Sequence, residues 1–182
     1  MREVVRPVLI FAVSGFSKTG KTSAVEALAS FFSSRGRTVA TVKDSGCAGL
    51  AAGDETADTG RHRRAGASAS VLLSRGLASI VYERRLSAAE ALKFLNHDIV
   101  IMEGFKALRI PKIITASDEA GAEALFCEEA FAFSGKLAEA MSVYRGRPVL
   151  NCFTETEKLA ALALEYAARD AEYVAAKAGG LY

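Results

Sequence analysis

Nine consecutive residues near the start of the chain have the types and spacing that suit the binding of a polyphosphate. Eight of them follow the pattern G-x-x-x-x-G-K-[ST], and they are Gly15, Phe16, Ser17, Lys18, Thr19, Gly20, Lys21 and Thr22, with Ser23 next. Glycines let successive backbone N–H groups turn inward and surround an anion. The lysine supplies a charge for the β- and γ-phosphates, and the threonine hydroxyl can ligate Mg²⁺. We therefore expect these residues to bind a nucleotide, with Lys21 in catalysis and Thr22 at the metal.

The sequence on either side of this phosphate loop (residues 15–22) has the periodicity that such a loop requires. The apolar run at residues 8–13 predicts a buried strand, and residues 20–35 carry apolar side chains at helical spacing. A helix in that place directs the positive end of its dipole at the same phosphates. Two arginines before the apolar run resemble the start of a secretory signal, but the run is too short and continues directly into the loop. We therefore interpret the run as a core strand.

A second feature suited to chemistry is the acidic residue that follows the predicted strand at residues 98–102, a run that is apolar after its first residue. This run does not alternate between polar and apolar residues, which is typical of a central strand in a parallel sheet. Glu103 stands at its carboxyl end, where an acidic side chain can hold Mg²⁺ opposite Thr22. Gly104 follows and permits the close approach of a phosphate. We expect Glu103 to act as a catalytic and metal-binding carboxylate, directly or through water, whereas Asp98 suits the start of the strand.

Three further residues each have a functional and a structural interpretation. Asp44 follows the second predicted strand, where its carboxylate can orient an attacking water for catalysis or simply be solvated. Lys18 can contact phosphates of its own or of a partner subunit, or lie exposed on the surface. The segment Thr115-Ala116-Ser117-Asp118 has the shape of the guanine-reading motif [NT]-K-x-D without its lysine. Asp118 can therefore bind the N1 and N2 hydrogens of guanine, or belong to a turn.

Four consecutive basic residues at positions 61–64 lie on a predicted short helix whose N-cap is Asp58 or Thr59. Arg61 and His62 are candidates for binding the γ-phosphate or a phosphorylated second substrate. The alternative for this group is a solvated helix face. With two histidines in the chain, a metal site of the His/Cys type has no support.

Composition limits the class of protein. A chain of 182 residues with 51% hydrophobic content is enough for one domain with a substantial core. We expect a single domain over residues 1–182, with a mobile loop at 45–60 and a frayed tail at 178–182. A net charge of +2 and the lack of an aromatic-plus-basic pattern predict no nucleic-acid partner, and no run reaches the ~18 apolar residues of a membrane span. Three widely spaced cysteines suggest reduced thiols in a cytoplasmic protein.

Strand-length apolar runs alternate with helical patterns along the chain. Further strands are predicted at residues 38–42, 71–73, 79–82, 112–115, 130–133 and 149–150, the second and third as a hairpin. Capping boxes at residues 87–90 and 154–157 predict two helices, the latter continuous to about Lys177. Such alternation indicates an α/β fold in which a mostly parallel sheet is covered by helices on both faces. Ligands of such sheets bind at the carboxyl ends of the strands.

Several of these segments, in this order, resemble the molybdopterin-guanine dinucleotide biosynthesis protein B (MobB) family. They are the phosphate loop, the second strand R-T-V-A-T-V-K, the stretch D-T-G-R-H-R-R-A-G-A, and the segments E-G-F-K and I-P-K-I. Together they cover more than half of the chain, and the R-H-x-x-A-G-A and E-G-F-K pair is far more discriminating than the phosphate loop. The family's histidines after the second strand, K-H-x-x-H, are replaced here by Lys43-Asp44-Ser45-Gly46-Cys47.

The resemblance implies an α/β P-loop NTPase that binds GTP and Mg²⁺, hydrolyses GTP slowly, and often forms a homodimer. Such a protein would assist the guanylyltransferase (MobA) that attaches GMP to molybdopterin. Lys106 of the E-G-F-K segment joins Arg61 and His62 as a candidate for binding an anion or second substrate. Two other classes stay open. A small-molecule kinase would transfer a phosphoryl group to a metabolite, and a metallochaperone-type GTPase would bind metal stoichiometrically.

Overall fold

The structure, a computed structural model, describes residues 8–45, 57–169 and 171–178. Most of the predicted mobile loop at residues 45–60 and of the predicted tail at residues 178–182 lies outside these residues, as does Cys47. The chain divides into two compact units. The larger comprises Met1–Asp44 and Ala88–Tyr182, and the smaller comprises Ser45–Ser87.

The helices and strands alternate along the chain as predicted. In order they are β1 (Leu9–Gly15), α1 (Lys21–Ser33), β2 (Val39–Lys43), α2 (Asp58–Arg64), β3 (Ala69–Leu73), β4 (Ala78–Tyr82), α3 (Ala88–Leu92), β5 (Ile99–Glu103), β6 (Lys112–Thr115), α4 (Glu119–Leu125), β7 (Ala130–Ser134), a 3₁₀ helix (Lys136–Glu139), β8 (Val143–Tyr144), β9 (Arg147–Pro148), α5 (Thr156–Tyr166) and α6 (Ala171–Ala178).

The larger unit is built on a five-stranded parallel sheet in the order β2-β5-β1-β6-β7. Successive side chains of the central strand β1 point to opposite faces. Phe11 and Val13 pack in one core with α1 and α5, whereas Ile10 and Ala12 pack in another with α3 and α6. Helices therefore cover both faces, which confirms the α/β fold. The carboxyl ends of β1 and β5 lie side by side, with Val13 in register with Glu103.

The smaller unit contains α2 and the antiparallel hairpin of β3 and β4, which confirms the predicted hairpin. Its Arg63 binds Glu83, with Nε 2.6 Å from a carboxylate oxygen. The predicted N-cap of α2 is wrong. Ala57 is the cap residue and Asp58 is the first helical residue, where its carboxylate lies 3.6 Å from the guanidinium of Arg61 one turn later. An acidic side chain is also favourable in a first turn because of the helix dipole.

The long C-terminal helix predicted from residue 154 is wrong, because the chain forms α5 and α6 with a break between them. The break is at Ala168, whose N–H and C=O both pair with the backbone of Ile10 at 2.9 and 2.8 Å. Ile10 lies before the stretch of β1 that β6 covers, so its polar groups need this partner. The predicted capping box is also absent. Glu155 caps α5, and its carboxylate accepts the backbone N–H of Asn151.

Two smaller sequence predictions concern strands of the larger unit. The predicted strand at residues 149–150 is reduced to one parallel bridge between Val149 and Phe133, and the neighbouring residues form the short β8–β9 pair instead. Asp98, predicted to start a strand, lies directly before β5 and accepts hydrogen bonds from the backbone N–H and the hydroxyl of Thr38 at 2.8 and 2.9 Å. Among the described residues, no helix has the length and apolar character needed to cross a membrane.

Candidate functional site

The phosphate loop connects the carboxyl end of the central strand β1 to the first turn of α1. Lys18 and Gly20 both have left-handed backbone conformations, with φ of +62° and +96°. Alternation of left- and right-handed residues turns successive N–H groups to the inside of a loop, which is the geometry of an anion-binding nest. Helix α1 then begins at Lys21, so its positive dipole end faces the same space. The local structure is the one that the sequence pattern predicts.

Close packing beneath the loop explains why its first residue is a glycine. A Cβ at Gly15 would lie 2.2 Å from the hydroxyl oxygen of Thr115 and 2.5 Å from that of Thr19. These two buried hydroxyls are hydrogen-bonded to each other at 2.8 Å, and the Thr19 hydroxyl also donates to Phe16 O at 3.0 Å. The base of the loop is therefore fixed to β6 before any ligand binds.

Three ammonium groups, those of Lys21, Lys43 and Lys106, lie around this loop. Lys21 Nζ donates a hydrogen bond to Phe16 O at 2.5 Å, and Lys106 Nζ lies 5.2 Å from the centre of the Phe16 ring. Burial lowers the pKa of Lys21; Glu103 opposes this shift, while Lys106 and Lys43 add to it. Lysines that repel one another this way create a positive potential for a polyanion. The structure therefore brings Lys106, a predicted anion-binding residue, to the phosphate loop.

Glu103 is the buried acid of the site. It retains 7% of its exposure at the end of β5, accepts a hydrogen bond from the Thr22 hydroxyl at 3.1 Å, and lies 2.9 Å from Lys43 Nζ. The two predicted metal ligands are thus directly adjacent. A hydroxyl and a carboxylate are the oxygen donors that Mg²⁺ binds in proteins, usually together with phosphate oxygens and water. The oxygen donors of Thr22 and Glu103 therefore fit Mg²⁺, and Lys43 is the cation that pairs with the same Glu103 oxygen in this structure.

Asp44 and Gly104 also meet at this edge of the sheet. Asp44 N–H donates to Glu103 O at 2.9 Å, and a Cβ at Gly104 would lie 3.0 Å from Asp44 O. Gly104 is held to β1 by its own N–H on Val13 O at 3.0 Å and by the hydroxyl of Ser14, which donates to Gly104 O at 2.6 Å. The role predicted for Asp44 in orienting water is compatible with this position and stays a prediction.

The remaining predicted site residues are Asp118 and two residues of the smaller unit, Arg61 and His62. Asp118 is the N-cap of α4, with one carboxylate oxygen accepting the N–H of Gly121 at 2.7 Å, so the turn interpretation describes its place and the guanine-reading role stays a prediction. Arg61 and His62 are exposed on α2 of the smaller unit, and their anion-binding role likewise stays a prediction. Within the described residues, no three His, Cys, Asp or Glu side chains cluster in a way that could hold a metal.

Sequence reasoning missed Lys112, which holds the segment that carries Lys106. The chain turns sharply after Glu103, with positive φ at Gly104 and Phe105, and Lys112 Nζ binds the carbonyls of Phe105, Lys106 and Leu108 at 3.4, 3.1 and 2.6 Å. Lys112 is 2% exposed, and burial lowers its pKa. Burial of this ammonium is tolerated because the three carbonyls accept its hydrogen bonds. A lysine within a predicted apolar strand was the signal in the sequence that could have indicated this role.

We expect Lys112→Met to destabilise the protein by about 2–3 kcal/mol, because it leaves three carbonyls without their buried donor. Urea unfolding followed by circular dichroism measures the loss. Lys93→Met, at an exposed position after α3, is the matched control and should change stability by less than ~0.5 kcal/mol. Equal stability of the Lys112 variant and the parent would show that the carbonyls are satisfied without this ammonium.

The parallel sheet, the strand–loop–helix at its centre and the Thr22–Glu103 pair define a P-loop NTPase fold. The family model of molybdopterin guanine dinucleotide synthesis protein B (MobB) matches residues 10–134, well over half of the chain. The protein therefore belongs to the MobB family, as its sequence motifs predicted.

Individual relatives agree with this assignment. A protein of Bacillus subtilis (strain 168) described as a probable molybdopterin-guanine dinucleotide biosynthesis adapter protein is 30% identical over 152 residues, which span 81% of this chain and 88% of the relative. A crystal structure of Bacillus subtilis MobB has a TM-score of 0.73 at 25% identity, over 89% of this chain and 99% of that one. A MobB homologue of Bacillus stearothermophilus has the same fold, with a TM-score of 0.64 at 22% identity over 86% and 97% of the two chains.

Proposed function

We propose that this protein is a GTP-binding accessory protein of molybdenum cofactor biosynthesis that hydrolyses GTP slowly with Mg²⁺. The observation that carries the proposal is the convergence of Lys21, Lys43 and Lys106 on a phosphate loop whose Thr22 is hydrogen-bonded to Glu103 of β5. A triphosphate matches this combination because it offers several negative oxygens to the lysines and can share a cation with the carboxylate. The family assignment supports guanine as the base and the cofactor pathway as the context.

Each residue of the site has a distinct task in this proposal. The loop N–H groups and the start of α1 hold the phosphates, and Lys21 exchanges its bond to Phe16 O for the β- and γ-phosphate oxygens. Thr22 and Glu103 hold Mg²⁺, which when bound neutralises charge on the phosphates. Asp44 orients the attacking water from its place beside Gly104. Lys106 is the group best placed to contact the γ-phosphate or a second anionic substrate.

The proposed partners follow from the family. They are molybdopterin and the guanylyltransferase that attaches GMP to it, and a second copy of this chain in a homodimer. The adapter description of the Bacillus subtilis relative supports a role in assisting another enzyme. Arg61 and His62 would then bind the phosphorylated second substrate, and the compartment would be the cytoplasm, as the widely spaced cysteines predict.

A paired titration of the purified protein with GTP and ATP, each with and without Mg²⁺, tests the nucleotide part of this proposal. We expect Mg²⁺-dependent binding of GTP that is at least about tenfold tighter than that of ATP, a difference of about 1.4 kcal/mol. Isothermal titration calorimetry measures both affinities directly. Equal or tighter binding of ATP would contradict the proposal and favour a small-molecule kinase, which phosphoryl transfer to a metabolite would then identify.

A further inference from the structure

A cavity of about 300 Å³ opens beside the phosphate loop. Its walls are formed by the loop and α1, by the 3₁₀ helix after β7, and by the segment before α5, through Gly20, Ser23, Lys136, Glu139, Asn151 and Phe153. The volume is at the small end of ligand pockets and suits a planar ring system with part of a sugar.

The order of the sheet determines which part of a nucleotide can reach this cavity. Strand β5 is on one side of β1 and carries Glu103, whereas β6 and β7 follow on the other side. Thr22 faces Glu103, so the terminal phosphates, which would share Mg²⁺ with these two residues, belong on this side of the loop. Ser23, the next residue of α1, lines the cavity on the β7 side. A triphosphate whose terminal phosphates lie by Thr22 and Glu103 extends its nucleoside past Ser23 into the cavity.

One wall of the cavity is fixed to the phosphate loop itself. A Cβ at Gly135, where φ is +87°, would lie 2.5 Å from Thr19 O and 2.6 Å from Ala116 O. Only a glycine permits this approach, because both the left-handed conformation and the lack of space exclude a side chain. The segment after β7 therefore packs directly against the phosphate loop, which places the residues that follow it beside the loop.

The opposite wall presents an exposed aromatic ring. Phe153 is 71% exposed, and its backbone N–H donates to the side-chain oxygen of Asn151 at 2.9 Å, as does that of Thr154 at 3.3 Å. These bonds hold the turn that carries the ring at the edge of the cavity. A large apolar ring that remains exposed beside a ligand cavity gains by stacking on a base. The amide nitrogen of Asn151 is then a donor for the oxygen or nitrogen acceptors of that base.

Glu139 supplies the selective group. Its ionised carboxylate can only accept hydrogen bonds. Guanine presents two donors on one edge, N1–H and the 2-amino group, whereas adenine has an unprotonated acceptor at N1. Asp118 does not line the cavity, and one of its oxygens already caps α4. On the basis of the proposed nucleotide binding, we propose that this cavity is the base subsite, that Phe153 stacks on the purine, and that Glu139 reads guanine.

Calorimetry with four probes, each with Mg²⁺, tests this assignment: GTP, xanthosine triphosphate, ATP and inorganic triphosphate. Glu139→Gln should weaken GTP about tenfold and strengthen xanthosine triphosphate, because the new amide can donate to the oxygen that replaces the 2-amino group. Phe153→Ala should weaken every nucleotide about tenfold and leave inorganic triphosphate unchanged. Asp118→Asn, which preserves the helix cap, is the comparison variant and should leave the preference between GTP and xanthosine triphosphate unchanged.

The outcomes separate the base subsite from the proposed function. Unchanged base preference in Glu139→Gln, or a switch toward xanthosine triphosphate in Asp118→Asn instead, would overturn the assignment of Glu139 while GTP binding stands. Loss of inorganic triphosphate affinity in Phe153→Ala would show that this variant disturbs the phosphate loop, and would overturn the stacking role. If the parent protein bound neither GTP nor inorganic triphosphate, both the proposed function and this subsite would be rejected.

Discussion

Lys21→Ala is expected to abolish measurable GTP binding while leaving the fold intact. Lys21 Nζ donates a hydrogen bond to Phe16 O, and three charged groups lie close enough to shift its pKa. Its removal takes away the ammonium that would contact the β- and γ-phosphates. Charge-assisted hydrogen bonds of this kind contribute about 1.5–3 kcal/mol each, so the affinity should fall roughly 100-fold or more.

The matched control is Lys158→Ala, which removes a 70% exposed lysine from the surface of α5. That variant should bind GTP as the parent does, because an exposed ion pair contributes little. Calorimetric titration gives both affinities, and circular dichroism verifies that each variant is folded. Parental GTP affinity in Lys21→Ala would reject residues 15–22 as the phosphate site. A comparable loss in Lys158→Ala would mean that the assay reports general positive charge.

Glu103→Gln is expected to reduce Mg²⁺-dependent GTP hydrolysis about 100-fold and to change GTP affinity less than about fivefold. The buried Glu103 oxygen that accepts from Thr22 also lies against Lys43. Glutamine keeps an acceptor for the threonine but removes the carboxylate charge from the Mg²⁺ site, where Thr22 and the phosphate oxygens remain as ligands. Binding is preserved because the loop and Lys21 remain, and because a negative group beside the triphosphate is removed.

Asp98→Asn is the matched control, since Asp98 precedes the same strand at its opposite end and pairs with Thr38 and Arg37. This variant should hydrolyse GTP at the parental rate. Single-turnover phosphate release with and without Mg²⁺ measures hydrolysis, and titration calorimetry measures affinity. If Glu103→Gln lost binding and hydrolysis equally, or lost neither, Glu103 would not be the metal-side carboxylate.

Much of the site was predictable because its determinants are local. The phosphate loop is a continuous pattern whose conformation follows from its glycines and the helix start, so residues 15–22 could be placed before any fold was known. Glu103 was predictable because an unbroken apolar strand ends in an acid, and parallel strands bring their carboxyl ends to one edge. The position of Lys106 followed only from a resemblance, and the structure places it near Phe16.

The failures arose where a hydrogen bond that periodicity and capping patterns do not reveal decides the local conformation. Helical periodicity continues through residues 166–171, yet the backbone of Ile10 needs a partner and takes it from Ala168, which breaks the helix. Thr154 begins a favourable capping pattern, but the Asn151 side chain already binds its N–H. In the first case a hydrogen bond to a distant strand, and in the second a hydrogen bond to a neighbouring side chain, outweighs a local preference of a few tenths to about one kcal/mol.

The sequence by itself determined the class of fold, the family and the position of the loop at residues 15–22, because these depend on periodicity and on residues that are adjacent in the chain. The tertiary structure alone decided that Lys112 holds the carbonyls after Glu103, and that the segments after β7 and before α5 enclose a cavity beside Ser23. Lys112 reaches these carbonyls because the chain turns sharply after Glu103, with positive φ at Gly104 and Phe105. The cavity joins residues far apart in sequence, and its lining depends on which strands neighbour one another in the sheet, an order that no local pattern specifies.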